Sequence, residues 1–126
     1  MKIAVIFVGS HFVGKSLTIN SFLKPLLGVA SKARLFTLDG KDGCVLSQSF
    51  EESGRDAKER IDAYAHLDLL VLAARPASER ASKLTLVESI LHKYGFRVHH
   101  IQVTKGDDKH YESLAKKAFN LLRAKA

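Results

Sequence analysis

The order of hydrophobic patterns along the chain predicts an α/β fold: a three-layer α/β/α sandwich on a mainly parallel sheet of about five strands. Three observations lead there. Short apolar, β-branched runs alternate with stretches whose apolar residues recur at helical spacing. The first run, Lys2–Val8, is apolar almost throughout, as a strand covered on both faces should be. Glycines at 9, 28, 40, 43 and 95 fall between the runs, where turns and caps belong. No repeat, linker or low-complexity stretch divides the chain, so residues 1–126 are expected to form a single domain.

Each element has its own justification. After Lys2–Val8 the strand stops at Gly9, and a helix should start near Lys15. Ile19, Phe22, Leu23 and Leu26 lie at i, i+3, i+4 and i+7 and make one stripe. Pro25 falls inside it, so the helix should end or kink at Lys24, with Gly28 as a stop. Arg34–Leu38 and Cys44–Ser47 read as a hairpin around the five-residue turn Asp39–Gly43. A helix is expected from about Arg55 to His66, with Ala57, Ile61, Tyr64 and Ala65 on its inner face. Asp68–Ala74 fits a central strand closed by Arg75-Pro76. Ser78 can cap the next helix, whose stripe is Leu84, Val87, Leu91 and Tyr94 and whose stop is Gly95. Phe96–Val103 mixes apolar residues with Arg97, His99, His100 and Gln102, which suits an edge strand. The last helix should span about Asp108 to Ala124, with Tyr111, Leu114, Ala115, Ala118, Leu121 and Leu122 inward.

Composition excludes other classes. Apolar residues are 46% and charged residues 26% of the 126, which is globular usage rather than disorder. No stretch approaches the roughly 18 apolar residues of a membrane span. Ile3–Val8 is too short for a secretory signal. Cys44 is the one cysteine, so an internal disulfide is impossible and a reducing, cytoplasmic setting is expected. The net charge of +7 favours anionic partners in general without choosing among nucleotides, nucleic acid and anionic surfaces.

The chemistry concentrates after the first strand. Residues 9–16 read Gly-Ser-His-Phe-Val-Gly-Lys-Ser and match G-x-x-x-x-G-K-S/T in full. Gly9 permits a sharp exit from the strand, and Gly14 lets the backbone curl close to oxygen atoms. Successive N–H groups then form an anion nest at a helix N-terminus. Lys15 brings a mobile ammonium to the outer phosphates, and Ser16 brings a hydroxyl for Mg²⁺. The expected nucleotide-binding set is Gly9, Ser10, His11, Phe12, Val13, Gly14, Lys15, Ser16 and Leu17, with Ser16 as the metal ligand.

This pattern resembles the P-loop NTPase superfamily through its Walker A motif, over the first thirty residues. The resemblance implies ATP or GTP binding with Mg²⁺ and, usually, hydrolysis or phosphoryl transfer. A second likeness is to a truncated small-GTPase core. Thr104-Lys105-Gly106-Asp107 follows the last strand, where GTP-binding proteins carry Asn/Thr-Lys-x-Asp. By that resemblance Thr104, Lys105 and Asp107 would form a guanine site; equally, Asp107 or Asp108 is a natural helix N-cap. Leu46–Glu52 contains no D-x-x-G, which departs from the GTPase pattern and argues against fast hydrolysis.

Two acidic placements follow from the hairpin. If Arg34–Leu38 were parallel to the first strand, Asp39 would reach the Mg²⁺ shell. If it is half of a hairpin, as the glycine-rich turn favours, Asp39 lies at the wrong end and Gln48, Ser49, Glu51 and Glu52 approach the nucleotide. Glu51 could then position a water or polarise a hydroxyl, so Lys15 and Glu51 are the candidate catalytic pair. His99 and His100 alternate faces and make no metal pair. Arg75, Cys44 and the basic outer face of the last helix read as structural or solvated groups.

Three functions fit. The first is a small regulatory or accessory NTPase with slow or partner-dependent hydrolysis. The second is a nucleoside or small-molecule kinase. The third is a non-catalytic, nucleotide-gated binding module, with a protein partner or a second copy completing the site.

Overall fold

The computed structural model describes residues 2–10, 13–49, 51 and 56–123. Its centre is a five-stranded sheet of β1 (Lys2–Val8), β2 (Leu35–Leu38), β3 (Lys41–Val45), β4 (Leu69–Ala74) and β5 (Phe96–Gln102). The strand order is β2-β3-β4-β1-β5. β1 pairs in parallel with β4 and β5, and β3 in parallel with β4, while β2 runs antiparallel to β3. The sequence is therefore read correctly as α/β with a mostly parallel sheet, with β5 as an edge and a hairpin at the other edge.

Alternation along β1 divides the core in two. Ile3, Val5 and Phe7 face one side, against Ile19 and Leu23 and against Tyr111, Ala115, Ala118 and Leu122. Ala4, Ile6 and Val8 face the other, against Ala57 and Ile61 and against Leu84, Val87 and Leu91. Helices thus cover both faces, an arrangement compatible with a three-layer sandwich. Burial of each large aliphatic side chain contributes about 1.5–3 kcal/mol. Both faces of β1 are sealed, so its carboxyl end is the rigid platform from which the next loop departs.

The first helical segment, α1, is continuous over residues 15–26: α-helical at Lys15–Leu17, π-helical at Thr18–Leu23 and α-helical at Lys24–Leu26. The helix does not end at Lys24 but runs on through Pro25 to Leu26. Lys24 N–H instead donates to Ile19 C=O, five residues back, in a widened turn that comes just before the proline. Gly28, at φ 74°, then ends the segment. Its N–H meets Pro25 C=O and the Val29 N–H meets Lys24 C=O, the paired bonds of a Schellman cap.

The hairpin turn is tighter than the expected five residues. Leu38 pairs with Lys41, so only Asp39 and Gly40 are in the turn, with φ of 52° and 78°. Two consecutive positive φ values are what a two-residue hairpin turn with the right-handed strand twist requires, and Asp-Gly supplies them. α2 (Ala57–Tyr64) starts at Asp56, whose carboxylate accepts from Glu59 N–H at 3.1 Å. α3 (Leu84–Lys93) begins later than Ser78 suggested. Residues 75–83 form a loop instead, in which Ser82 Oγ donates to Arg75 C=O and accepts from Leu84 N–H. Tyr94 is exposed rather than inward, its hydroxyl bonded to Asp62. α4 (Asp108–Leu122) completes the fold.

Cys44 is fully buried on β3. Burial pushes its thiol up to about 11 from 9.0, against the opposing pull of Arg34, Arg60 and Lys24. At pH 8 that shift cuts the thiolate fraction about 100-fold. Iodoacetamide is therefore expected to label the native protein at least about 100-fold more slowly than the urea-unfolded chain. Equal rates by mass spectrometry would place Cys44 outside the core.

Candidate functional site: the loop at the carboxyl end of β1

Because β1, β3, β4 and β5 run the same way, the segments after them gather at one end of the sheet. These are residues 9–16, 46–51, 75–83 and 103–107. Crevices at this end are where open α/β sheets take ligands.

The loop after β1 leaves the sheet bonded to both neighbours. Gly9 N–H donates to Ala74 C=O, and Val8 C=O accepts from Val103 N–H. A side chain at Gly9 would have no room: a Cβ there would lie 2.8 Å from Val103 C=O and 2.6 Å from the Val13 side chain. The curl ends at Gly14, the residue before α1, at φ 105°. Its carbonyl accepts from both the N–H and the hydroxyl of Thr18, at 2.9 and 2.7 Å. A Cβ on Gly14 would lie 2.7 Å from the Tyr111 ring.

Lys15 is only 5% exposed, and its Nζ donates to Gly9 C=O at 2.6 Å. The ammonium therefore spans the loop from its last turn to its first residue, and sits inside the curl rather than in solvent. Ser16 is exposed at the rim, with its Oγ 3.4 Å from Ser47 C=O, a long contact that leaves the hydroxyl easy to reorient. Leu17 is exposed and Val13 half-buried. Ser10 donates its hydroxyl to the carboxylate of Glu79. His11 and Phe12, expected in the same set, lie outside the described residues.

A neighbouring segment is fastened to this loop through a side chain of α4. Tyr111 Oη donates to Val13 C=O at 3.1 Å and accepts from Gly106 N–H at 3.1 Å. The 103–107 segment is thereby joined to the loop. Thr104, Lys105 and Asp107 are all exposed on that segment. Asp107 Oδ1 caps α4 by accepting from His110 N–H at 3.0 Å, and His110 Nε2 lies 3.0 Å from Thr104 C=O. The capping reading of Asp107 is thus realised.

Glu51 is fastened too. Its two oxygens accept from Arg75 N–H at 3.2 Å and Lys83 N–H at 2.6 Å, one at each end of the 75–83 loop. Among the described contacts, these two bonds tie the ends of that loop together. Asp39 lies in the hairpin turn at the opposite end of the sheet, ion-paired with Arg123 at 3.1 Å, as the hairpin reading requires. Glu52 and Arg55 fall outside the described residues. His100 pairs with Glu88 at 3.0 Å, and no cluster of three or more metal-ligating side chains occurs among the described residues. Nor, among those residues, is any helix long and apolar enough to cross a membrane.

Sequence reasoning missed Glu79 and the bridging role of Tyr111. Nothing marks Glu79, since its segment looks like the start of a helix. Tyr111 is visible only as one more apolar position on α4; a phenol among aliphatic residues is the signal that its hydroxyl has a partner. No family model, curated protein or solved structure matches the chain.

Proposed function

We propose that the chain binds the Mg²⁺ complex of a nucleoside triphosphate, ATP or GTP, at residues 9–16, and works as a small regulatory or accessory NTPase with slow or partner-dependent hydrolysis. One observation carries the reading. A loop matching G-x-x-x-x-G-K-S leaves a doubly buried central strand, curls through a left-handed Gly14 and encloses the Lys15 ammonium at the start of a helix. Lys15 would exchange the Gly9 carbonyl for phosphate oxygens, a stronger charge-assisted pairing. Ser16, exposed and weakly held, suits a Mg²⁺ ligand, and the ion would neutralise charge on the outer phosphates. Slow turnover is supported by the two acidic candidates, because Asp39 is at the far end of the sheet and Glu51 is engaged by two amides.

The base remains ATP or GTP. Thr104, Lys105 and Asp107 are tied to the loop through Gly106 and Tyr111, which supports their use as a base site. Titration with Mg·GTPγS and Mg·ATPγS is expected to show saturable binding of at least one. Preference for GTPγS, lost in Asp107→Asn, would assign the guanine site. Preference for ATPγS would remove it. Absence of binding to either overturns the proposal.

A further inference from the structure

On the hairpin side of this loop, the same rim holds a cavity of about 260 Å³. Four cationic side chains from four segments line it: Lys24 of α1, Lys32 just after α1, Arg34 before β2, and Arg60 of α2. Arg34 reaches this end because β2 is antiparallel. Its carbonyl accepts from Val45 N–H at 2.7 Å, at the carboxyl end of β3. No carboxylate lines the cavity among the described residues.

Lys32 and Arg34 are exposed at the mouth of the cavity, but the cluster reaches inward. Lys24 is 3% exposed and fastened to Ser31 C=O at 2.7 Å. Its burial first, and the Arg34 charge second, draw its pKa below the usual lysine range. Arg34, Arg60 and Lys24 also act together on the buried Cys44 thiol, each drawing its pKa down, in keeping with their shared place on the cavity wall. Gathering like charges there raises the energy of the fold, and an anion placed among them lowers it. Asn20 also lines the cavity, and its side-chain oxygen is buried without a hydrogen-bond partner. A half-turn of that amide presents two N–H donors instead. The π-helical turn of α1 carries Asn20 and precedes Lys24, and such turns recur at functional sites.

Size narrows the occupant. At about 260 Å³ the cavity is below the roughly 300–1,000 Å³ of typical ligand sites, which suits a phosphate group rather than a whole nucleotide. A second cavity of about 380 Å³ shares Arg34 and Arg60 with it. There Leu46 and Tyr64 offer apolar and aromatic surface, and Glu59 an acceptor for hydroxyls.

We propose that this pair of cavities is a second anion site, distinct from residues 9–16, that takes a compact phosphate monoester: the phosphate among Lys24, Lys32, Arg34 and Arg60, the organic body against Tyr64. Ser16 Oγ touches Ser47, which lines the first cavity, so the site adjoins the loop.

The test is a ¹⁵N-amide NMR titration of the full chain with inorganic phosphate, against sodium chloride at equal ionic strength. It is run on wild type, Lys15→Ala and the exposed-residue variant Lys32→Ala/Arg34→Ala. Lys15→Ala should keep saturable shifts at residues 31–34 and 45–48 that chloride does not reproduce. The double variant should weaken those shifts at least tenfold while retaining shifts at residues 13–18. Loss of the 31–34 shifts in Lys15→Ala, their persistence in the double variant, or their reproduction by chloride overturns the proposal. Shifts at 31–34 without any at 13–18 in wild type would uphold this site and count instead against phosphate binding in the Gly9–Ser16 loop.

Discussion

Lys15→Ala is expected to weaken binding of Mg·ATPγS or Mg·GTPγS on the order of 100-fold or more. A charge-assisted hydrogen bond to an anion contributes about 1.5–3 kcal/mol, and about 1.4 kcal/mol is tenfold in affinity, so loss of one or two such bonds accounts for the drop. The effect on stability should be small by comparison. The bond of Lys15 Nζ to Gly9 C=O is offset by the cost of holding an ammonium at 5% exposure. Alanine at the start of α1 costs nothing in helix propensity. Calorimetry and urea denaturation on the same sample separate the two effects. Unchanged affinity would show that the lysine braces the loop and does not bind phosphate.

Gly14→Ala should be the most damaging single-methyl change in the loop, lowering stability by roughly 2–4 kcal/mol. Two costs act together. An L-residue at φ 105° is strained by about 1–2 kcal/mol or more. The new methyl also meets the Tyr111 ring at 2.7 Å, closer than side-chain carbons approach. Relief by moving the ring would break the hydroxyl's bonds to Val13 and Gly106. Combining it with Tyr111→Ala removes the collision but leaves the φ strain, so a double-mutant cycle in urea should give a coupling above about 0.5 kcal/mol. Strict additivity would mean that the ring does not press on Gly14 in solution.

Much of this architecture was legible in the residues. The almost wholly apolar run Lys2–Val8 read as a doubly covered strand, and the polar interruptions of Phe96–Val103 marked an edge. The glycine-rich stretch Asp39–Gly43 announced the hairpin, although the turn proved tighter, because Lys41 and Asp42 are polar yet belong to β3. What could not be read depends on contacts distant in sequence. Insertion of β4 between β3 and β1 is decided by sheet packing, not by any local pattern. The late start of α3 depends on Glu51, thirty-odd positions upstream, taking the amides at 75 and 83 that a helix from Ser78 would have used differently. The passage of α1 through Pro25 depends on a change of hydrogen-bond register that helix periodicity does not encode.

The candidate site divides in the same way. Gly9, Gly14, Lys15 and Ser16 announced themselves, since backbone conformation and ion chemistry restrict the residue types allowed there. Glu79 and the basic cavity did not, because four cations scattered between positions 24 and 60 look like surface charge until the fold brings them to one point.

The hydroxyl of Tyr111 has a consequence for how the protein opens. It is donor to one loop and acceptor from another, so both loops are anchored on the same phenol oxygen. The segment at Val13 and the segment at Gly106 are thus expected to open together, as one unit of local unfolding. The Gly106 amide proton would trade with solvent at the pace of that shared opening, and anything that grips residues 13–16 would slow the exchange of a proton it never touches.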